Sequence, residues 1–155
     1  MTEIGELFHI GTRVPNLDAA MSDLGARLGL TWSPPMRRQQ SVWTAETGEI
    51  EVELAFTYSC EGPCHIELLE GAPGSIWDAG DAPGTHHLGY WTDDVAAVTD
   101  GLIAEGWTLE AATRSPENGY GTFTYVTSPT GLRVEPVSSL ARPRFERWWA
   151  GEPLG

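Results

Sequence analysis

Gly84-Thr85-His86-His87-Leu88-Gly89-Tyr90-Trp91-Thr92-Asp93-Asp94 reads as a short strand carrying a histidine, then a turn into a helix. The chain has already written that phrase near its start, as Phe8-His9-Ile10-Gly11-Thr12-Arg13-Val14-Pro15-Asn16. With His87 set on His9, Leu88 falls on Ile10, Gly89 on Gly11, Val95 on Leu17, Ala97 on Ala19 and Leu102 on Leu24, without a gap. Self-similarity at a fixed offset marks a duplicated supersecondary unit. The two copies also end alike, because Ile66-Glu67-Leu68-Leu69 resembles Val134-Glu135-Pro136-Val137. Glu67 lies 58 residues after His9 and Glu135 lies 48 after His87, so the first copy is ten residues longer. Extra length of that kind is expected in a hairpin between helix and final strand, where it is tolerated.

Outward from these marks, Leu7 to Val14 reads as a strand that Pro15-Asn16 stops. Asn16 is placed to cap a helix whose apolar face is Leu17, Ala20, Met21, Leu24 and Leu28, ended by Gly29. An irregular strand with Arg37, Arg38, Val42 and Trp43 leads to a turn at Thr47-Gly48. Glu49 to Phe56 alternates acid and apolar residues, which predicts a half-buried strand with Glu49, Glu51 and Glu53 on its exposed face. Glu61-Gly62-Pro63 turns the chain back into His65 to Leu69. A Gly/Pro/Asp-rich segment from Gly71 to Gly84 follows, with Ile76-Trp77 expected as a short helical turn.

The second copy predicts a strand over Thr85–Trp91, a helix over Asp94–Glu105, and strands over Trp107–Ala112, Gly121–Thr127 and Leu132–Val137. Phe145, Trp148 and Trp149 then recur at helical spacing, which predicts a terminal helix packed on the body or on a second subunit. The sum is an α+β chain of two tandem βαβββ modules. We expect a single domain over 1–155, with module 1 at about 7–70, a linker at 71–84, module 2 at about 85–138 and the helix at about 141–150.

A net charge of −13 argues against nucleic acid and against an anionic membrane surface, which both attract Lys/Arg. It leaves a small-molecule substrate open, because local charge differs from the total. No apolar run approaches the roughly 20 residues that span a bilayer. Met1-Thr2-Glu3-Ile4-Gly5-Glu6 is acidic where a secretory signal is basic and then apolar, so a cytoplasmic location is expected. There Cys60 and Cys64 read as free thiols beside a turn, with a disulfide or half a zinc site as the lesser alternatives.

Tandem βαβββ modules, each opening on a histidine strand and closing on a glutamate strand, resemble the vicinal oxygen chelate superfamily. That group takes in glyoxalase I, methylmalonyl-CoA epimerase, bleomycin-resistance proteins and extradiol dioxygenases. The resemblance runs from Leu7 to Val137 and rests on His9 through Leu17, His86 through Val95, and the strands of Glu67 and Glu135. It implies a cupped, half-barrel mixed sheet, and one divalent metal ion held by His9, Glu67, His87 and Glu135. His86 would point to the other face. Residue chemistry supports the same set. Buried carboxylates are costly without a counter-charge, and two glutamates equivalent under a repeat could share one cation. Two imidazoles with two carboxylates suit zinc, nickel, cobalt or manganese. His65 shares a face with Glu67, and Arg133 with Glu135; the default for both is a solvent-facing polar residue near a strand start.

Such an ion polarises a carbonyl and stabilises an enolate, with a glutamate as base. The resemblance therefore implies an isomerase, epimerase or lyase acting on a small carbonyl or acyl-thioester substrate. The pattern is closest to methylmalonyl-CoA epimerase and then to glyoxalase I. Glu67 and Glu135 are the candidate catalytic carboxylates, and Glu49 lies roughly where the epimerases carry a base. The chain departs from the epimerases in having no lysine and no evident basic patch for CoA. The competing reading is a non-catalytic binding or antibiotic-resistance protein of the same fold. Trp32, Trp43, Trp77, Trp91, Tyr120, Phe123 and Tyr125 would suit a flat apolar ligand, or simply an ordinary core. A homodimer is expected, since an open cupped sheet leaves edges to cover.

Overall fold

A computed structural model describes residues 1–155. The elements run β1 (Glu6–Arg13), α1 (Leu17–Leu28), β2 (Met36–Thr44), β3 (Gly48–Tyr58), β4 (His65–Gly71), β5 (Gly84–Thr92), α2 (Val95–Ala104), β6 (Thr108–Ala112), β7 (Thr124–Thr127), β8 (Arg133–Ser138) and α3 (Arg142–Trp149). The class is α+β, and the order is β-α-β-β-β twice, then a helix. The extra length of the first copy is spent on strand. Its β2 and β3 have nine and eleven residues, where β6 and β7 have five and four. No helix is long and apolar enough to cross a membrane.

Two compact units form, and they exchange pieces relative to the sequence copies. The first, the His9 unit, is Phe8–Gln40, Val52–His86 and Pro143–Gly155. The second, the His87 unit, is Met1–Leu7, Ser41–Glu51 and His87–Arg142. The tip of the β2–β3 hairpin thus belongs with the second copy, and nearly all of α3 with the first.

In the His9 unit β1 runs parallel to β4, and β4 antiparallel to β3. Strand alternation sends Ile66, Leu68 and Ala55 to one face, where α1 lays Leu17, Ala20, Met21 and Leu24 on them. Leu28 departs from the expected face and is 54% exposed. It lies in the last turn of α1, beyond the residues that reach the sheet. The opposite face of β3 and β4 carries Phe56, Tyr58, His65 and Glu67, and α3 packs its aromatic side chains there. Of the two expected places for this helix, the structure takes the body of its own chain.

In the His87 unit β5 runs parallel to β8, and β8, β7 and β6 pair antiparallel. Leu102 of α2 packs on Val126 and Val134, while Val95 packs with Ala112 and Tyr120. The strand expected from Gly121 begins only at Thr124. Gly119, Tyr120 and Gly121 have φ of 73°, 68° and 81°, and such left-handed residues do not continue a strand. Ile76-Trp77 is not helical either. That segment is a series of turns in which the Asp78 carboxylate accepts from the Gly74 and Gly80 amides at 2.8 and 3.1 Å.

Both principal helices start as the sequence predicts. Asn16 Oδ1 accepts from the Ala19 amide at 2.8 Å, and Asp94 Oδ1 from the Ala97 amide at 2.9 Å. The start of α1 has a second acceptor from β4: Glu70 Oε2 takes the Leu17 amide at 2.6 Å. Asn16→Ala and Asp94→Ala should each cost about 1 kcal/mol, read as a fall in thermal midpoint of about 2–4 °C. Unchanged melts for both would show that the caps contribute nothing.

Candidate metal centre

The site starts from two strand pairs with the same register. In the His9 unit the parallel ladder sets Gly11 opposite Glu67. In the His87 unit it sets Gly89 opposite Glu135. Each histidine lies two residues before its glycine and so on the same face. The position beside each glutamate thus carries no side chain, and the carboxylate leans back to the imidazole. His9 Nε2 lies 3.2 Å from Glu67 Oε2, and His87 Nε2 lies 3.2 Å from Glu135 Oε2. His9 is 0% and His87 1% exposed, and Glu67 and Glu135 are 6% each, so both pairs are out of bulk water.

A tyrosine completes each arrangement. Tyr58 faces Glu67 across β3–β4, and its ring meets that of His9 at 5.2 Å and 82°. Extending the β7–β8 register by one rung puts Tyr125 opposite Glu135, with its ring 4.8 Å from His87. The sequence carries a signal for this that the histidine–glutamate alignment passes over. Phe56-Thr57-Tyr58 recurs as Phe123-Thr124-Tyr125. The threonines match as well, each fully buried, with Thr57 bonded to Ser33 and Thr124 to Thr99.

The donors suit a cation. Two ligands about 2.1 Å from one ion, at angles between a right angle and a tetrahedral one, are roughly 3.0–3.4 Å apart. Both histidine–glutamate pairs have that spacing. A neutral imidazole does not cancel a buried carboxylate's charge, and a divalent ion does. His9, Glu67, His87 and Glu135 are together a buried group with the composition to hold a metal.

The other candidates fall outside these pairs. Glu49 is exposed and accepts from the Ser115 amide at 2.8 Å and Asn118 Nδ2 at 2.9 Å. The Ser115 backbone bond, and then Asn118, hold its carboxyl below the usual glutamate range. His65, expected to face solvent, is instead buried under Trp149, ring on ring at 3.7 Å, with Nδ1 2.6 Å from the Ser59 carbonyl. Burial pushes its pKa down. The reason for the difference is α3, which covers the face that His65 shares with Glu67. Arg133 of β8 pairs with Glu110 of β6, across the intervening β7. Strand alternation turns His86 to the face opposite His87. Cys60 and Cys64 are free thiols.

Residues 8–125 match the sequence model of the Glyoxalase/Bleomycin resistance protein/Dioxygenase superfamily. The chain belongs to that superfamily. No curated protein matches the chain. Among solved structures it is similar to a variant of Streptomyces coelicolor methylmalonyl-CoA epimerase in complex with 2-nitronate-propionyl-CoA. Identity there is 23%, covering 90% of this chain and 97% of that one, with a TM-score of 0.60. It is also similar to methylmalonyl-CoA epimerase from Mycobacterium tuberculosis, at 19% identity over 89% of this chain and 92% of that one, with a TM-score of 0.55. At these identities the likeness is one of fold. The superfamily includes both enzymes and resistance proteins, so the reading of activity rests on the residues of this chain.

Proposed function

We propose that this chain is a divalent-metal-dependent isomerase or epimerase, or a related lyase. In this reading one domain spans 1–155, and His9, Glu67, His87 and Glu135 hold a single ion. The observation that supports it most is the repetition of one arrangement, His–Gly–Glu–Tyr, buried in each unit with the same 3.2 Å spacing. Accidental burial of a glutamate beside a histidine would not respect the repeat. When bound, a divalent ion supplies Lewis-acid stabilisation of an enolate oxygen.

The chain's own residues supply the rest. Glu67 and Glu135 carry the negative charge that retains the cation, and one of them is the acceptor for the proton leaving the carbon next to the carbonyl. Glu49, an exposed carboxylate, is the third group able to take up a proton. Its depressed pKa makes it a weaker base than an ordinary glutamate. Tyr58 and Tyr125 wall the imidazoles, fix their ring planes and keep water from them. The substrate class is a small carbonyl compound or an acyl thioester, the latter because the similar epimerases act on CoA thioesters. A cytoplasmic homodimer remains part of the proposal.

One observation favours binding without turnover: Trp149, Phe145 and Tyr58 bring aromatic surface to the side of the His9–Glu67 pair. Two measurements separate the readings. Protein purified without chelator should contain about one divalent ion per chain. It should also catalyse metal-dependent solvent-deuterium uptake into one member of a panel of acyl-CoA epimers, hemithioacetals of α-keto aldehydes and other enolisable acids. Metal-free protein that binds such compounds without exchange is the resistance-type binder.

A further inference from the structure

The nine basic residues are all arginines in a chain of net charge −13. Five of them form ion pairs: Arg27 with Asp23, Arg37 with Asp18, Arg133 with Glu110, Arg142 with Glu6 and Arg147 with Glu152. Arg13 donates to the Ile76 and Ala82 carbonyls beside Asp78, and Arg114 sits by Glu49. The remaining two, Arg38 and Arg144, have no carboxylate at ion-pair distance and lie instead on one aromatic cluster, Arg38 over Phe56 and Arg144 over Phe145, both of which meet Trp148.

Strand alternation separates Arg37 from Arg38. Arg37 goes to the α1 side and reaches Asp18, while Arg38 goes to the face that carries Phe56, Tyr58 and Glu67. Its guanidinium carbon lies 5.1 Å from the centre of the Phe56 ring. Nε and one terminal nitrogen both donate to Gln40 Oε1, at 3.2 and 2.9 Å. Arg144 comes from α3, with its guanidinium carbon 5.9 Å from the Phe145 ring, and Phe145 in turn meets Tyr58 at 5.6 Å. Desolvation, and then the neighbouring Arg144 charge, hold Arg38 below the usual arginine value. Two guanidiniums on one aromatic cluster, neither paired with a carboxylate, leave N–H donors for an anion. Both side chains remain open to solvent on one edge, so one can reach them.

We propose that Arg38 and Arg144 form a receptor for an oxyanion, the carboxylate or phosphate group of the small molecule this protein takes. The guanidinium forks match either group through paired N–H donors. Phe56 is two residues from Tyr58 on the same face of β3, so the receptor lies about 7 Å along the strand from the rung of Glu67. As a statement about substrate this rests on the enolisation reading. As a binding site it does not, and chelator-treated protein keeps the two separate.

Calorimetric titration of chelator-treated protein with inorganic phosphate and with succinate, against chloride at matched ionic strength, tests the proposal. Saturable binding of at least one oxyanion is expected, and the stronger of the two identifies the group. Arg38→Gln and Arg144→Gln should each weaken it roughly tenfold or more. Arg144→Glu, which gives Arg38 an internal partner, should abolish it. Arg144→Gln changes an exposed helix position and serves alone if Arg38→Gln fails to fold. Responses no different from chloride, or wild-type affinity in the glutamine variants, would overturn the receptor while leaving metal content untouched.

Discussion

Glu135→Gln and Glu67→Gln should each take bound metal well below one ion per chain and slow deuterium exchange by roughly 10²- to 10⁴-fold. Glutamine keeps the volume and the hydrogen-bonding reach of the side chain and removes only its charge. Each glutamate is buried against a histidine at 3.2 Å, so the neutral variant relieves a buried charge and should fold at least as well in the absence of metal. The loss is therefore one of cation retention, visible as lower metal content with an intact melting transition. The double variant decides whether the pairs act together. If both serve one ion, the second substitution adds little, because the first has already emptied the site. If each pair worked alone, the losses would multiply. Multiplicative losses, or single variants that keep a full complement of metal, would falsify the four-ligand centre.

The histidine–glutamate pairs were legible in the sequence because duplication leaves a comparison inside the chain. His9 and Gly11 align with His87 and Gly89, and the structure sets both glycines opposite the glutamates in the same parallel register. The helix limits were legible for local reasons, since Asn16, Gly29 and Asp94 act within a turn of where they stand. What escaped depends on partners distant in sequence. Phe-Thr-Tyr is spelled out twice, but the offset between its copies differs from that of the histidines. The longer β2 and β3 of the first copy move it out of the histidine alignment. Glu70 as an acceptor for the start of α1 requires knowing that β4 ends beside that helix. The burial of His65 requires knowing that α3 returns to β4, about 80 residues later, to stack Trp149 on the ring. Side-chain spacing shows that α3 has an apolar face and not what the face meets.

Trp148→Ala measures how much that return is worth. Trp148 is fully buried. Its indole Nε1 donates to the Pro34 carbonyl at 2.8 Å. Its ring meets Phe56 at 5.6 Å, Tyr58 at 5.4 Å and Phe145 at 5.8 Å. Truncating such a side chain removes a large apolar area and leaves a cavity, at a cost of about 3–5 kcal/mol. That is a third or more of the stability of many domains, and corresponds to a fall in melting temperature on the order of 10 °C for a chain of this length. Trp148→Phe separates the parts, since it keeps most of the packing but leaves the Pro34 carbonyl without its donor, for about 1–3 kcal/mol. The ordering Ala well below Phe, and Phe below wild type, should hold at every protein concentration, because α3 packs on its own chain. If α3 instead served to grip a second subunit, Trp148→Ala would change the oligomeric state and spare the melt of dilute protein. Loosening α3 should also release Trp149 from His65 and disorder Tyr58, which walls His9. Metal affinity should then fall along with stability in Trp148→Ala, although Trp148 itself offers no ligand atom.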